Sequence, residues 1–172
     1  MFRYKGFTFI ELIISLIILG IVVAISTVSY QGLIANQTLT HRIDQIYYTL
    51  QLVKTEAVKR NNKIYVRFCQ QQSIWKMGVS EQSNCDCFSE NSCQLDGIEK
   101  VYDLADGKIL SIDADKLTFA GKEASYGALR FSVESGTITI SNSQQNSLSV
   151  IQSAMRLRVC APNKSQLGYP KC

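Results

Sequence analysis

The chain has 172 residues with a formal net charge of +4, and 46% of its residues are hydrophobic. That excludes a disordered polymer, leaves room for one ordinary domain beside any membrane segment, and gives a net charge too small to single out a partner. The charge is unevenly placed, however: Glu81 to Glu123 is acidic, whereas Ala124 to Cys172 holds five bases (Arg130, Arg156, Arg158, Lys164, Lys171) against Glu134 alone.

The first element is apolar. Leu12 to Ile25 is interrupted only by Ser15 and Gly20. Extended from Phe7 to Val28, the run can span about 30 Å of hydrocarbon as a helix. Arg3 and Lys5 precede it, and positive charge holds that end in the cytoplasm. A secretory signal peptide fits poorly, because no small-residue cleavage site closes the run. Glu11 lies inside it, and a carboxylate at bilayer depth costs about 2.5–3.5 kcal/mol, so a functional reason is expected. No Lys or Arg occurs between Lys5 and Arg42 to pair with it. A cut after Gly6 would create a partner, the α-amine of Phe7, one helical turn before Glu11.

The stretch "KGFTFIEL" (5–12) resembles the class III leader of type IV pilins and of type II secretion pseudopilins. The resemblance implies cleavage between Gly6 and Phe7 by a prepilin peptidase, N-methylation of Phe7, and pairing of Glu11 with the N-terminal amine of an adjacent subunit during filament assembly. Major pilins of that family often kink the helix at a proline; Val28 stands at the matching position.

Beyond the apolar run, Ile43, Ile46, Tyr47, Leu50, Val53 and Ala57 recur at steps of three and four. They predict a stripe on one helical face against which a sheet packs. "KRNN" (59–62) is a stop signal, and a continuous helix from Phe7 to Arg60 would be about 80 Å long. His41, the sole histidine, reads as a surface residue.

After Asn62 the period becomes two. Strands are expected at 63–69, 73–79, 98–104, 108–112, 116–120, 128–133, 136–141, 148–152 and 155–160, with turns at 105–108 and 134–136. The Asp-rich stretch 103–115 reads as turn chemistry, since it has no EF-hand arrangement.

All six cysteines (Cys69, Cys85, Cys87, Cys93, Cys160, Cys172) lie beyond the apolar run, which argues for disulfides in an oxidising compartment. Cys85 and Cys87 point the same way if extended, so each is expected to pair elsewhere; the connectivity stays open. The spacing matches no common zinc pattern, and no metal or cofactor is expected. The insert from Ser80 to Asp96 reads as a disulfide-pinned loop.

A long helix followed only by strands, with "TEAVKRNNKIYVRFC" (55–69) at the junction, further resembles the branch of the family that holds pseudopilin H and FimT-type minor pilins. The fold class is therefore α+β: a transmembrane and amphipathic N-terminal helix packed on an antiparallel β-sheet domain. The expected segments are a cleaved leader (1–6), a membrane and filament-core helix (7–28), an amphipathic continuation (29–62) and a β-rich periplasmic domain (63–172). The inner membrane, prepilin peptidase and other pilins or pseudopilins are the expected partners.

On a strand at 155–160, Arg156 and Arg158 share one face, opposite Met155, Leu157 and Val159. Lys164 and Lys171 follow, with Tyr169 nearby. Two arginines and a cationic loop suit the phosphate backbone of double-stranded DNA. FimT-type proteins linked to transformation resemble this, with a Gly-Arg-x-Arg whose arginines match Arg156 and Arg158 and whose glycine is Met155 here. The equally open reading is a last strand with a polar outer face.

An enzyme is the rival class. The one histidine lies on the predicted helix, and with no Gly-rich phosphate loop, nucleophile elbow or paired-ligand metal site the residues favour a structural subunit. A type IV pilus minor pilin is the reading preferred here, with a type II secretion pseudopilin as the alternative.

Overall fold

The computed structural model describes residues 8–129 and 133–172, the side chains of 26–29 excepted. Among the described residues, one helix, α1 (Phe9–Arg60), is followed by ten short strands and two 3-10 turns. The chain divides into two compact units, Met1–Ile34 and Ala35–Cys172.

In the first unit the described helix exposes its apolar side chains, Phe9 to Ile25, on every face. It is long and apolar enough to cross a bilayer. Ser15 satisfies its hydroxyl within the helix, donating to Leu12 O at 2.8 Å.

In the second unit the helix has an inside and an outside. Leu39, Ile43, Ile46, Leu50, Val53 and Ala57 are buried, while Tyr47 lies half-buried at the margin of the stripe. The helix ends as its sequence dictates. Asn61 takes a positive φ of 52°, and the Asn62 N–H reaches back to Ala57 O at 3.2 Å, a Schellman-type stop.

Two four-stranded antiparallel sheets share one core with this helix. The first has the order β5 (Val101–Ala105), β2 (Ile74–Ser80), β1 (Ile64–Gln71), β7 (Glu123–Tyr126). Its register sets Val66 against Val79 and Phe68 against Met77, so Ile64, Val66, Phe68, Trp75, Met77 and Val79 form the core face. The second has the order β10 (Leu157–Cys160), β9 (Ser147–Gln152), β8 (Gly136–Asn142), β6 (Leu110–Ile112), and buries Ile138, Ile140, Leu148 and Val150. The tip of the β8–β9 hairpin is fastened to the helix: Asn36 Oδ1 accepts from Asn142 Nδ2 at 2.8 Å and from Asn146 Nδ2 at 2.9 Å.

Several expected strands need correction. The 98–104 strand is two, β4 (Ile98–Glu99) and β5, and β4 pairs with β3 (Gln94–Leu95), a short strand inside the insert expected to be a disulfide-pinned loop. Residues 116–120 are not a strand. Leu117 and Phe119 do alternate inward, but a 3-10 turn stands at each end and only Thr118 bonds to Thr137. β7 was not expected at all. The 128–133 strand falls partly outside the described residues. Gly107 (φ 76°) makes the expected turn at 105–108, where Asp106 Oδ1 accepts the N–H groups of Lys108, Ile109 and Leu110. No hairpin forms at 134–136; Gly136 opens β8 and lies against the Phe119 ring.

The insert lies on the outer face of the first sheet, beside Gly78. Three disulfides use all six cysteines: Cys69–Cys87, Cys85–Cys93 and Cys160–Cys172. A charged tie joins the insert to the helix end. The Arg60 guanidinium pairs with both oxygens of Asp96, with Glu56 at 2.9 Å and with Glu81 at 3.4 Å. Hydrogen bonding to Arg60 holds the Asp96 and Glu56 carboxyls below their ordinary range.

Candidate functional site

Two regions carry the residues singled out by sequence. At the N-terminus, Gly6 and Phe7 lie outside the described residues. Glu11 is described, and it closes a capping box. Its Oε2 accepts the Thr8 N–H at 2.9 Å and the Thr8 hydroxyl at 3.0 Å, while the Glu11 N–H points to Thr8 Oγ1 at 3.4 Å. Thr8 is thus the capping partner of Glu11, a pairing that sequence reading missed. The signal was present, as Thr-x-x-Glu at the head of an apolar run.

At the other end the β9–β10 hairpin turns through Ala154 and Met155, and the Ser153 N–H bonds to Arg156 O at 2.8 Å. Strand β10 begins only at Leu157, so Met155 is not on the inner face of a strand: it stands at the turn, 76% exposed. The turn residues Ala154 and Met155 leave no ladder partner for a strand beginning at 155. Leu157 and Val159 do pack toward the core, and Arg158 projects the opposite way and is exposed, as is Arg156.

From β10 the chain runs into a strap closed by Cys160–Cys172, whose Cα atoms are 5.0 Å apart. Ala161 bridges to Lys171: its N–H donates to Pro170 O and its carbonyl accepts from the Cys172 N–H. Lys171 is thereby held beside the end of β10, while Lys164 lies out on the strap; both are exposed. Among the described residues none of these four cations has a carboxylate within ion-pairing distance, in contrast to Arg60, Arg67 and Lys76.

Tyr169 anchors the strap instead of offering a free aromatic face. Its hydroxyl donates to Asp44 Oδ1 on α1 at 2.7 Å. Burial, and then this bond, push the Tyr169 pKa up to about 12. A phenol whose folded pKa is raised supports the fold in full below its unfolded pKa of about 10. That support is lost as pH rises from there toward 12. Expected outcome: melting temperature falls more steeply over this window in the parent than in Tyr169→Phe. Equal slopes in the two proteins would show that the Asp44 bond does not hold the strap.

Residues 1–27 match the prokaryotic N-terminal methylation motif, and residues 42–164 match the family model described as type II transport protein GspH. No curated protein and no solved structure matches the chain. The GspH model covers the helix from residue 42 onward and both sheets, and the methylation motif covers the leader and the apolar helix up to residue 27. With a methylation motif, a long apolar helix, a core shared by helix and sheets, and three disulfides, the chain belongs to the GspH family of pilin-like subunits, as a minor pilin or pseudopilin.

Proposed function

We propose that the protein is a minor pilin of a type IV pilus whose β9–β10 hairpin and C-terminal strap bind duplex DNA through phosphates. Prepilin peptidase removes residues 1–6, Phe7 is methylated, and the 7–28 helix enters the filament core with Glu11 as its docking group. The domain from residue 63 onward faces the periplasm, in keeping with Arg3 and Lys5 before the apolar run. The observation that carries the DNA reading is a set of four exposed cations without an acidic partner among the described residues: Arg156 and Arg158 at the β9–β10 turn and on β10, and Lys164 and Lys171 on the disulfide-closed strap that follows. Such groups release counterions from DNA on binding.

The test is titration of the full chain in detergent micelles with a fluorescent duplex at several salt concentrations. The parent should bind, weakening as salt rises. In Arg156→Ala/Arg158→Ala the slope of log affinity against log salt should shrink by about two, one unit per lost phosphate contact. Equal binding by parent and variant, or none by either, removes the DNA reading.

A second reading, a pseudopilin of a type II secretion system without a nucleic-acid ligand, is favoured by the description of the family whose model matches residues 42–164. Deleting the gene in its host separates the two. Loss of surface pili and DNA uptake supports the first, and retention of secreted proteins in the periplasm supports the second.

A further inference from the structure

The insert's cysteines are paired across one another. In chain order they are Cys69, Cys85, Cys87 and Cys93, and the bonds are Cys69–Cys87 and Cys85–Cys93, so each bridge has one end inside the loop closed by the other. Cys160–Cys172, by contrast, joins neighbours in sequence.

An unfolded chain has no means of preferring the crossed pairing. Loop-closure cost depends on length to first order. Cys69 is 16 residues from Cys85 and 18 from Cys87. Cys93 is likewise nearer to Cys87 than to Cys85, from which it is 8 residues away. Together these separations favour the consecutive isomer, Cys69–Cys85 with Cys87–Cys93, by about twofold.

The crossed pairing is selected by the folded sheet. Cys69 Sγ accepts the Cys87 N–H at 3.2 Å, and Cys93 is fully buried over Gly78 of β2. Neither contact exists before β1 and β2 pair. Once oxidised, moreover, the chain keeps no free thiol with which to reshuffle itself.

We infer that this chain is a client of a thiol–disulfide isomerase and passes through the consecutive isomer on its way to the native fold. A disulfide-bearing thiol oxidase first takes four electrons and four protons from the insert's thiols. The reduced isomerase's thiolate then attacks Cys85 Sγ, forming a mixed disulfide and releasing the Cys69 thiolate. Cys69 attacks Cys87 Sγ and displaces the Cys93 thiolate. Cys93 attacks Cys85 Sγ and returns the isomerase thiolate, so this stage has no net redox change.

The experiment reoxidises the reduced, unfolded full chain in detergent micelles with a thiol oxidase, with and without a reduced isomerase. Proteases that cut before Asp86 and after Glu81 and Glu90 put the four cysteines on separate peptides, so mass spectrometry reads every pairing. Without isomerase, the consecutive isomer should make up half or more of the oxidised chain. With it, the crossed isomer should dominate, while Cys160–Cys172 forms equally in both. The Cys69→Ser/Cys87→Ser variant, left with bridges joining neighbouring cysteines, should form Cys85–Cys93 at a rate the isomerase does not change. Native pairing above nine-tenths without isomerase overturns the inference. So does a mixture the isomerase leaves unresolved, or equal isomerase dependence in the variant.

Discussion

Glu11→Ala leaves the chain in the membrane and removes it from the filament. Insertion rests on the apolar run, which loses nothing when a carboxylate becomes a methyl group. Incorporation rests, in the function proposed above, on the carboxylate meeting the N-terminal amine of a neighbour. The capping box adds a complication that a second substitution resolves. Alanine also strips the acceptor from the Thr8 N–H and hydroxyl. Glutamine keeps an acceptor at that position and discards the charge. If the charge is what assembly needs, Glu11→Gln fails to incorporate as completely as Glu11→Ala, and both fall at least tenfold below the parent in sheared filament fractions. Incorporation of the glutamine variant at the parent's level would assign Glu11 to helix capping alone.

The second large effect comes from the outer face of the first sheet. A Cβ built at Gly78 would stand 2.3 Å from Cys93 Sγ, 2.9 Å from Cys93 Cβ and 3.2 Å from Cys85 Sγ. No rotamer relieves such an overlap, since the obstacle is a buried disulfide. Gly78→Ala must move β2 or break the bridge. Overpacking costs about 1–3 kcal/mol, and loss of a bridge adds about 2–4 kcal/mol. The variant should melt several degrees below the parent, with free thiols titratable in a share of molecules. Gly20→Ala, where nothing lies within 4 Å, is the control. A Gly78→Ala protein with unchanged melting and no free thiol would show that the insert does not rest on β2.

How far the fold could be read in advance depends on where each element's cause resides. The helix is written locally: its stripe and its Asn61 stop are sequence-near features, and both are read within a residue or two. Strands β1, β2, β8 and β9 are legible because apolar and polar residues alternate along them. Strand β7, Glu-Ala-Ser-Tyr, has no β-branched residue and exists because it pairs with Ile64 to Arg67, a partner no local pattern reveals. The opposite failure occurs at 116–120, where the alternation is real but the chain turns before a ladder can form.

The candidate site residues divide in the same way. The cationic tail and the Glu11 motif are visible because they depend on residue type and spacing. The Tyr169–Asp44 tie and the seat of Cys93 on Gly78 are not, because each joins residues far apart in the chain.

The fastening at Asn36 has a mechanical consequence. Asn36 is the second residue of the compact unit that begins at Ala35, and its side-chain oxygen Oδ1 holds the β8–β9 tip through two amides at once. Tension drawn along the helix therefore enters the β-domain at this clasp, before it reaches Leu39 and the core behind it. Both bonds share one acceptor and are loaded together, so they resist as a pair and fail as a pair. A subunit pulled by its helix would yield first at Asn36 and shed the hairpin tip, while the two bridges of the insert, at the far end of the helix near Arg60, stay unstrained.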